Sequence, residues 1–330
     1  MDAFFDGDQY NGSLYKKNYV YGAGMNLAWN ELKEKIFHED LQFAGADGKI
    51  VALAQSFNHP GVSRQDVDEG GYYVKAGLGQ ETVETINREL ALQFPHSSFQ
   101  ALQLKLAPRD FIAYAALFQD VRYVVPFTGT DIFFSEMDAH QGTFEGTTPI
   151  QVRAFRAETQ EQKANIDILS YADDQHFVLR LKLQQSDEEI ILAKGFQEMG
   201  ASQVVKMLQA DFPKKGTQLQ EEDYFHMPIL RLDHSYSYDD FVGKNFSNKG
   251  FEDYMIASMS ERILFSMDEK GAKIENQALM GAPSAIQETG PKPKYLFLDR
   301  PFWVMMKRRS SLKPYFILGV NTTDVMMKVF

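Results

Sequence analysis

From residue 110 onward the chain consists largely of short segments in which apolar and polar residues alternate, and this pattern restricts the possible folds more than any other feature. A period of two residues is typical of β-strands that are buried on one face. The predicted strands are residues 110–127, 144–155, 165–183 (with a polar turn at 172–175), 224–232, 262–267, 295–307 and 315–320. Helices are predicted mainly upstream, at 25–36 and 80–94, and once later, at 200–212. Helices first and antiparallel strands later predict an α+β fold rather than alternating βαβ units.

The 330 residues contain no internal repeat, low-complexity tract or linker, so we expect a single domain over residues 1–330, with residues 1–20 loosely held. A net charge of −11 argues against nucleic acid as the main partner, because phosphate binding needs a positive field. The longest apolar run, residues 111–118, is too short to span a bilayer, which predicts a soluble protein without a membrane partner. The N-terminus lacks the basic and apolar regions of a secretory signal, so we expect a cytoplasmic protein, or a secreted one if a leader has been removed. We also expect a monomer.

The sequence offers no catalytic or metal-binding motif. It has no cysteine, which excludes disulfides and thiolate chemistry, and its seven histidines never fall at a short metal-ligand spacing. No nucleophile elbow is present, so we expect neither an enzyme nor a cofactor or metal. His226 and His234 are predicted to pack rather than to bind ligands, residues 221–223 to form a solvated loop, and residues 307–309 a charged hairpin turn.

Residues 259–280 combine a strand, a hinge and a tether. Ile263, Phe265 and Met267 share one side of an extended segment, as in a half-buried strand. The charged residues 268–270 and Gly271 then interrupt the alternation, and a second extended run follows. A loop rich in Gly and Pro continues to residue 293, ahead of another apolar strand at 295–298. A strand and a long tether ahead of a second strand predict a loop with a function.

Five segments resemble segments of the serpin family and occur in the same order as in that family. They are residues 114–127 (YAALFQDVRYVVPF, with Tyr123 where serpins usually have Trp), 143–155 (TFEGTTPIQVRAF), 225–241 (FHMPILRLDHSYSYDDF), 259–271 (MSERILFSMDEKG) and the pair DRPF at 299–302 and GVN at 319–321. Residues 259–271 align without gaps on the serpin strand that ends in DEEG and leads into the reactive-centre loop. The resemblance covers residues 110–325.

The resemblance implies an α+β serpin-like fold with mainly antiparallel sheets, a large central sheet, N-terminal helices and an exposed reactive-centre-type loop. Upstream of Asp110 the chain is shorter than a serpin, and residues 25–36 are similar to the first serpin helix without its usual Ser-Pro-x-Ser start. Ala115 stands where serpins place a buried Asn that helps the central sheet to open. These departures from the serpin pattern bear on whether the central sheet can open, and they do not contradict the presence of the sheet.

The family role is suicide-substrate inhibition of serine or cysteine proteases, in which the cleaved loop inserts into the main sheet as a new strand. By resemblance the loop hinge comprises Glu269, Gly271, Ala272, Lys273, Ile274, Asn276 and Ala278. The candidate bait bond is Ala285–Ile286, counted from Gly271 by the family's spacing. An Ala or a Met at the cleavage position would suit an elastase-like or subtilisin-like protease better than a trypsin-like one.

The hinge departs from the inhibitory pattern, which is a run of small Ala and Thr residues. Insertion would bury Asn276, whose amide would cost about 1–3 kcal/mol if left unpaired. Burial of Ile274 would return roughly 1.5–3 kcal/mol, so insertion is allowed, but bulky and polar residues must enter the sheet and slow it. The hinge therefore favours a weak or non-inhibitory serpin-like protein, and the alternative is a binding or scaffold protein on the same fold.

Overall fold

The structure is a computed structural model that describes residues 18–59, 61–67, 70–95, 97–120, 122–137, 143–144, 147–184, 187–269 and 292–329. Its helices are α1 (Gly24–Leu32, continued by a π-helical turn over Lys33–Phe37), α2 (Gly48–Asn58), α3 (Gly79–Gln93), α4 (Gln160–Lys163) and α5 (Ala201–Leu208). Its strands are β1 (Tyr19–Gly22), β2 (Tyr72–Leu78), β3 (Asp110–Asp120), β4 (Thr128–Phe134), β5 (Ile150–Arg156), β6 (Ile166–Asp173), β7 (His176–Lys182), β8 (Glu188–Lys194), β9 (Thr217–Gln218), β10 (Tyr224–Pro228), β11 (Leu230–Ser237), β12 (Met255–Met267), β13 (Tyr295–Phe297), β14 (Phe302–Arg308) and β15 (Phe316–Val320). The α+β class predicted from the sequence is confirmed.

The chain forms two compact units. One comprises residues 1–21, 120–231 and 266–330, and the other comprises residues 22–119 and 232–265. The single domain over residues 1–330 stays a prediction.

The unit of residues 22–119 and 232–265 is built on a four-stranded sheet with the order β11-β12-β3-β2. The amphipathic helix α3 covers one face of this sheet, with Val83, Ile86 and Leu90 buried in one cluster. In β3 the members of that cluster are Ile112, Tyr114 and Ala116, which alternate along the strand. The residues spaced by a helical turn in α3 and the alternate residues of β3 therefore pack in one core. The helix predicted at 80–94 is confirmed.

Aromatic side chains and one amide network fill a second core in the same unit. Trp29 stacks on Phe57 at 5.0 Å between ring centroids, and its indole N–H donates to the Asn58 side chain at 2.8 Å. Asn58 Nδ2 also donates to the backbone carbonyl of Leu41 at 3.0 Å, so this buried amide is satisfied. Asn58 ends α2, a helix that the sequence did not predict, and Asp47 caps the other end by accepting from the Ile50 N–H at 2.9 Å.

The other unit contains a seven-stranded sheet with the order β1-β15-β14-β8-β7-β6-β9. Its central strands β8, β14 and β15 are buried almost throughout. The neighbours β1 and β15 are joined further by Asn18, whose side-chain oxygen accepts from the backbone N–H groups of Asn321 at 2.7 Å and Thr322 at 2.9 Å. Residues 18–20 were predicted to be loosely held but are buried and lead into β1; residues 1–17 lie outside the described residues.

A four-stranded sheet, β13-β10-β5-β4, belongs to the same unit. Strands β4, β5 and β10 pair antiparallel, whereas β13 pairs parallel with β10, opposing Tyr224 to Tyr295. Proline explains two differences from the predicted strands. The strand predicted at 224–232 divides into β10 and β11 after Pro228, and the one predicted at 295–307 divides into β13 and β14 before Phe302, where Pro301 cannot donate to a ladder.

Further differences concern element bounds and buried charges. Strand β3 ends at Asp120 rather than 127, β5 starts at Ile150 rather than 144, and α5 ends four residues before residue 212. Lys307 does not lie in a charged turn; it is buried in β14, with its Nζ 2.7 Å from Glu189 Oε1. The pairing with a carboxylate on the neighbouring strand β8 makes burial of this charge possible.

Candidate functional site: the base of the loop

Strand β12 runs from Met255 to Met267 and is longer than the predicted segment 262–267. Met259, Glu261, Ile263, Phe265 and Met267 are buried, while Ser260, Arg262 and Ser266 are only partly buried. The alternation read from the sequence is therefore present along most of the strand. Strand β12 lies between β11 and β3, so it is an interior strand of its sheet.

Two contacts hold the chain immediately after β12. The backbone N–H of Phe127 donates to the carbonyl oxygen of Glu269 at 3.0 Å. The guanidinium of Arg231 binds Asp268 Oδ2 at 2.7 Å and also donates to the Ser266 hydroxyl. The Arg231 side chain is 50% exposed, so its ion pair contributes little to stability, on the order of 0–1 kcal/mol. The ion pair joins β11 to the chain just after β12.

An aromatic cluster lies beside these contacts. Tyr123 meets Phe127 edge-to-face at 4.7 Å, and Phe127 stacks on Phe155 at 5.2 Å. Phe225 completes the cluster at 5.8 Å from Phe127. The Tyr123 hydroxyl is buried and has no hydrogen-bond partner among the described residues. Burial, reinforced by the nearby charges of Asp268 and Glu269, raises the pKa of Tyr123 well above its ordinary value.

The described residues continue at 292, and Lys294 is held there by backbone hydrogen bonds. The Lys294 N–H donates to Asp223 Oδ1 at 2.9 Å, and the Tyr224 N–H donates to the Lys294 carbonyl at 2.8 Å. Asp223 was predicted in a solvated loop, but its side chain is 2% exposed because it receives this backbone donor. Beyond β13, Lys194 Nζ lies 2.5 Å from Asp299 Oδ1, and burial lowers the pKa of Lys194 despite that carboxylate.

Both ends of residues 270–291 are thus held by contacts within the unit of residues 1–21, 120–231 and 266–330, Glu269 by Phe127 and Lys294 by Asp223 and Tyr224. Of the predicted hinge, Glu269 lies at the point where the chain leaves β12. The remaining hinge residues and the bait bond lie outside the described residues: Gly271, Ala272, Lys273, Ile274, Asn276, Ala278, Ala285 and Ile286. Their roles stay predictions. Arg231 and Phe127 were not predicted as part of the site, because nothing in their local sequence shows that they meet residues 268–269.

Other chemistry is sparse in the part of the chain that the structure describes. Its histidine and acidic side chains form no group of three or more that could hold a metal ion. None of the described helices has both the length and the apolar character needed to cross a membrane. The His226 ring stacks on Phe297 at 4.5 Å, and burial, together with the charge of Arg156, lowers its pKa to about 4. His226 is therefore a neutral packing residue at neutral pH.

Comparison with known proteins gives one consistent result. No protein-family model matches the chain. No curated protein matches it by sequence. Among solved structures, a serpin-12 from Manduca sexta superposes with a TM-score of 0.59 at 8% identity, covering 96% of this chain and 94% of that one. The native thermophilic serpin tengpin gives 0.57 at 12% identity, with 98% and 96% covered. Uncleaved ovalbumin gives 0.55 at 9% identity, with 93% of each chain covered. The chain therefore has the serpin fold, in a divergent form.

Proposed function

We propose that residues 270–291 form a reactive-centre-type loop that serine or cysteine proteases cleave, and that this protein traps them weakly or not at all. The observation that carries the proposal is the attachment of both loop ends. One end continues β12 and is held through Glu269, and the other joins β13 through Lys294. A loop between two fixed strands presents an extended segment to a protease without requiring the fold to change.

Trapping would require the cleaved segment to become a strand. Because the hinge is continuous with β12, a strand formed from it would lie beside β12. Strand β12 already has β11 and β3 as neighbours, so one of these pairings must open first. Opening exposes backbone hydrogen-bonding groups until the new strand replaces them, and that replacement must outrun hydrolysis of the acyl-enzyme. Because Lys273, Ile274 and Asn276 enter the sheet slowly, the acyl-enzyme is hydrolysed more often than it is trapped.

The test is incubation of the intact protein with a panel of proteases that includes elastase-like and subtilisin-like enzymes. We expect cleavage within residues 270–291, with SDS-resistant complexes as a minor product. The combined variant Lys273→Thr/Ile274→Ala/Asn276→Ala, which gives the hinge small side chains, should raise the fraction trapped. A matched control, Lys249→Thr/Glu84→Ala, changes exposed residues outside the loop and should leave that fraction unchanged. Cleavage confined to other segments would refute the proposal that residues 270–291 are the loop that proteases cleave. Abundant SDS-resistant complexes with the parent protein would refute the proposal that the hinge inserts slowly.

The second candidate is a binding or scaffold protein that keeps the fold and has lost the trap. The polar hinge residues Lys273, Glu275 and Gln277 favour it. The melting temperature of the cleaved protein separates the two candidates, because insertion adds a strand and should stabilise the cleaved form. Clean cleavage with an unchanged melting temperature, in the small-residue variant as well as in the parent, would support the scaffold.

A further inference from the structure

A carboxylic acid lies inside the sheet of the unit formed by residues 22–119 and 232–265. Glu261 is in the interior strand β12, and its side chain faces the same buried side as Ile263 and Phe265. The residue is 3% exposed. A carboxyl group at such a position must be paired, hydrogen-bonded or protonated, because burial of an isolated charge is very costly.

Two glycines, Gly22 and Gly24, leave the space that Glu261 Oε1 occupies. A Cβ added at Gly22 would come within 2.6 Å of Oε1, and one added at Gly24 within 2.7 Å. The same added Cβ at Gly24 would lie 2.7 Å from the Cβ of Ala115 in β3. The carboxyl group therefore occupies the space that side chains at these positions would take, and none of the three residues has a side chain that can donate a hydrogen bond.

Among the described residues, one side chain donates to Glu261, through the hydroxyl of Tyr238, which lies 3.2 Å from Oε2. Oε1 has no hydrogen-bond partner among the described residues. Two further tyrosines lie nearby, Tyr72, which accepts the Ala23 N–H at 2.9 Å, and Tyr114 on β3. The adjacent cation, Arg262, is directed to Asp233, with its NH2 3.0 Å from Oδ2.

Glu261 thus forms no ion pair within the described part of the chain. Burial raises the pKa of Glu261 to about 8, against smaller lowering effects of the Tyr238 hydroxyl and the Gly24 N–H. The geometry accounts for the direction, since the Tyr238 hydroxyl and the Gly24 N–H do not compensate for the lost hydration of both carboxylate oxygens. At neutral pH the group is mainly protonated, and it ionises in mildly alkaline solution.

We propose that Glu261 is a proton-controlled latch of this sheet. The neutral acid is compatible with a closed sheet, in which β12 stays packed between β11 and β3. Loss of the proton places an uncompensated charge beside Ala115 and Gly24, and the charge is relieved when β12 separates from its neighbours and water reaches the carboxylate. The latch acts in the uncleaved protein, whether or not the loop traps a protease; its effect on strand insertion rests on the proposed function.

Hydrogen exchange of the intact, uncleaved protein tests the latch without any protease, so failure of the inhibitory proposal does not affect the result. Protection factors, corrected for intrinsic exchange, are compared at about pH 6 and about pH 9. We expect the amides of β12 and β3 to lose protection about tenfold or more at the higher pH, because the open form binds the proton far less tightly. Glu261→Gln, which mimics the neutral acid, should abolish this loss. The exposed Glu84→Gln on α3 is the charge-matched control and should retain it.

An equal loss of protection in Glu261→Gln, or no loss in the parent, would overturn the proposal. If Glu261→Gln does not fold, infrared difference spectroscopy of the parent protein decides instead. A buried protonated carboxyl gives a carbonyl stretch that should disappear only above the pH range in which ordinary carboxyls ionise. Disappearance within that ordinary range would equally overturn the latch.

Discussion

Replacement of Lys307 by Met should weaken the seven-stranded sheet strongly, although Met fills a similar volume. Lys307 in β14 opposes Glu189 in β8, and the ion pair is almost entirely buried, with side chains 1% and 3% exposed. Nζ lies 2.7 Å from Glu189 Oε1 and 2.8 Å from the Arg308 carbonyl oxygen. In Lys307→Met the Glu189 carboxylate stays buried, and its closest remaining cation is Arg180, whose NH1 is 3.5 Å from Oε2.

The loss of one partner from a buried ion pair typically costs about 3–5 kcal/mol. Because Arg180 still neutralises part of the charge, we expect the lower end, about 3 kcal/mol of unfolding free energy. The double variant Lys307→Met/Glu189→Leu removes both charges and should recover stability to within about 1 kcal/mol of the parent or above it. Urea unfolding of the uncleaved protein measures both effects as shifts of the midpoint at an unchanged slope.

Lys249→Met, at an exposed lysine, is the matched control and should change the unfolding free energy by less than about 0.5 kcal/mol. A double variant as unstable as Lys307→Met alone would refute the reasoning, because it would mean that packing rather than an unpaired charge causes the loss. A single variant as stable as the parent would show that Arg180 replaces Lys307 completely.

Three further perturbations follow from burial and charge. Ile86→Ala on α3 removes a fully buried side chain and should cost about 2–5 kcal/mol by thermal or urea unfolding, whereas Glu84→Ala, exposed on the same helix, should cost less than about 0.5 kcal/mol. Burial lowers the pKa of His226 from 6.5 to about 4, so the stability that the neutral ring contributes is lost as the pH falls from 6.5 to about 4. In His226→Phe the melting temperature should therefore depend less on pH over this range. The pKa of Glu261 is raised from 4.5 to about 8, so its contribution is lost as the pH rises through that window, and Tyr238→Phe, which removes the donor to Oε2, should enlarge the loss.

Each of these has a contrary outcome. Equal costs for the two α3 variants would mean that the helix does not pack on the sheet through Ile86. If the melting temperature of His226→Phe falls with acid as steeply as that of the parent, another group causes the fall. A smaller alkaline loss in Tyr238→Phe would show that the hydroxyl stabilises the neutral acid rather than the carboxylate.

Periodicity made the fold partly predictable. Strand β12 and helix α3 could be recognised because each buries one regular face, and the apolar spacing of such a face is visible in the sequence. Helix α2 was missed because it begins at Gly48 and its apolar residues are not confined to one face, since Ile50 and Phe57 are buried whereas Val51 is exposed. Its N-cap at Asp47 was the main signal. Strand β2 was missed because Gly77 lies within it and Gly79 follows it, and glycines weaken the pattern of a strand, although of these two only Gly79 has a positive φ, of 64°.

The candidate site was harder to predict, since its parts are distant in sequence. Glu269 meets Phe127, and Asp268 meets Arg231, through contacts that depend on sheet pairing rather than on any local motif. The resemblance of residues 259–271 to a serpin feeder strand located one side of the site only. Burial of a charge is equally invisible in a sequence, because Lys307 reads as a surface residue until Glu189 is known to lie opposite it on the neighbouring strand.

The position of β1 determines when the seven-stranded sheet can form during synthesis. Strand β1 leaves the ribosome first, yet its neighbour is β15, and β14 lies between β15 and β8. A nascent chain that ends before Phe302 therefore exposes the apolar edge of β8, and β1 has no strand to join. Strands β6 to β9 pair with one another and can assemble earlier, but the sheet is complete only after β14 and β15 are released, and strand-to-strand aggregation at the edge of β8 is the hazard of that interval.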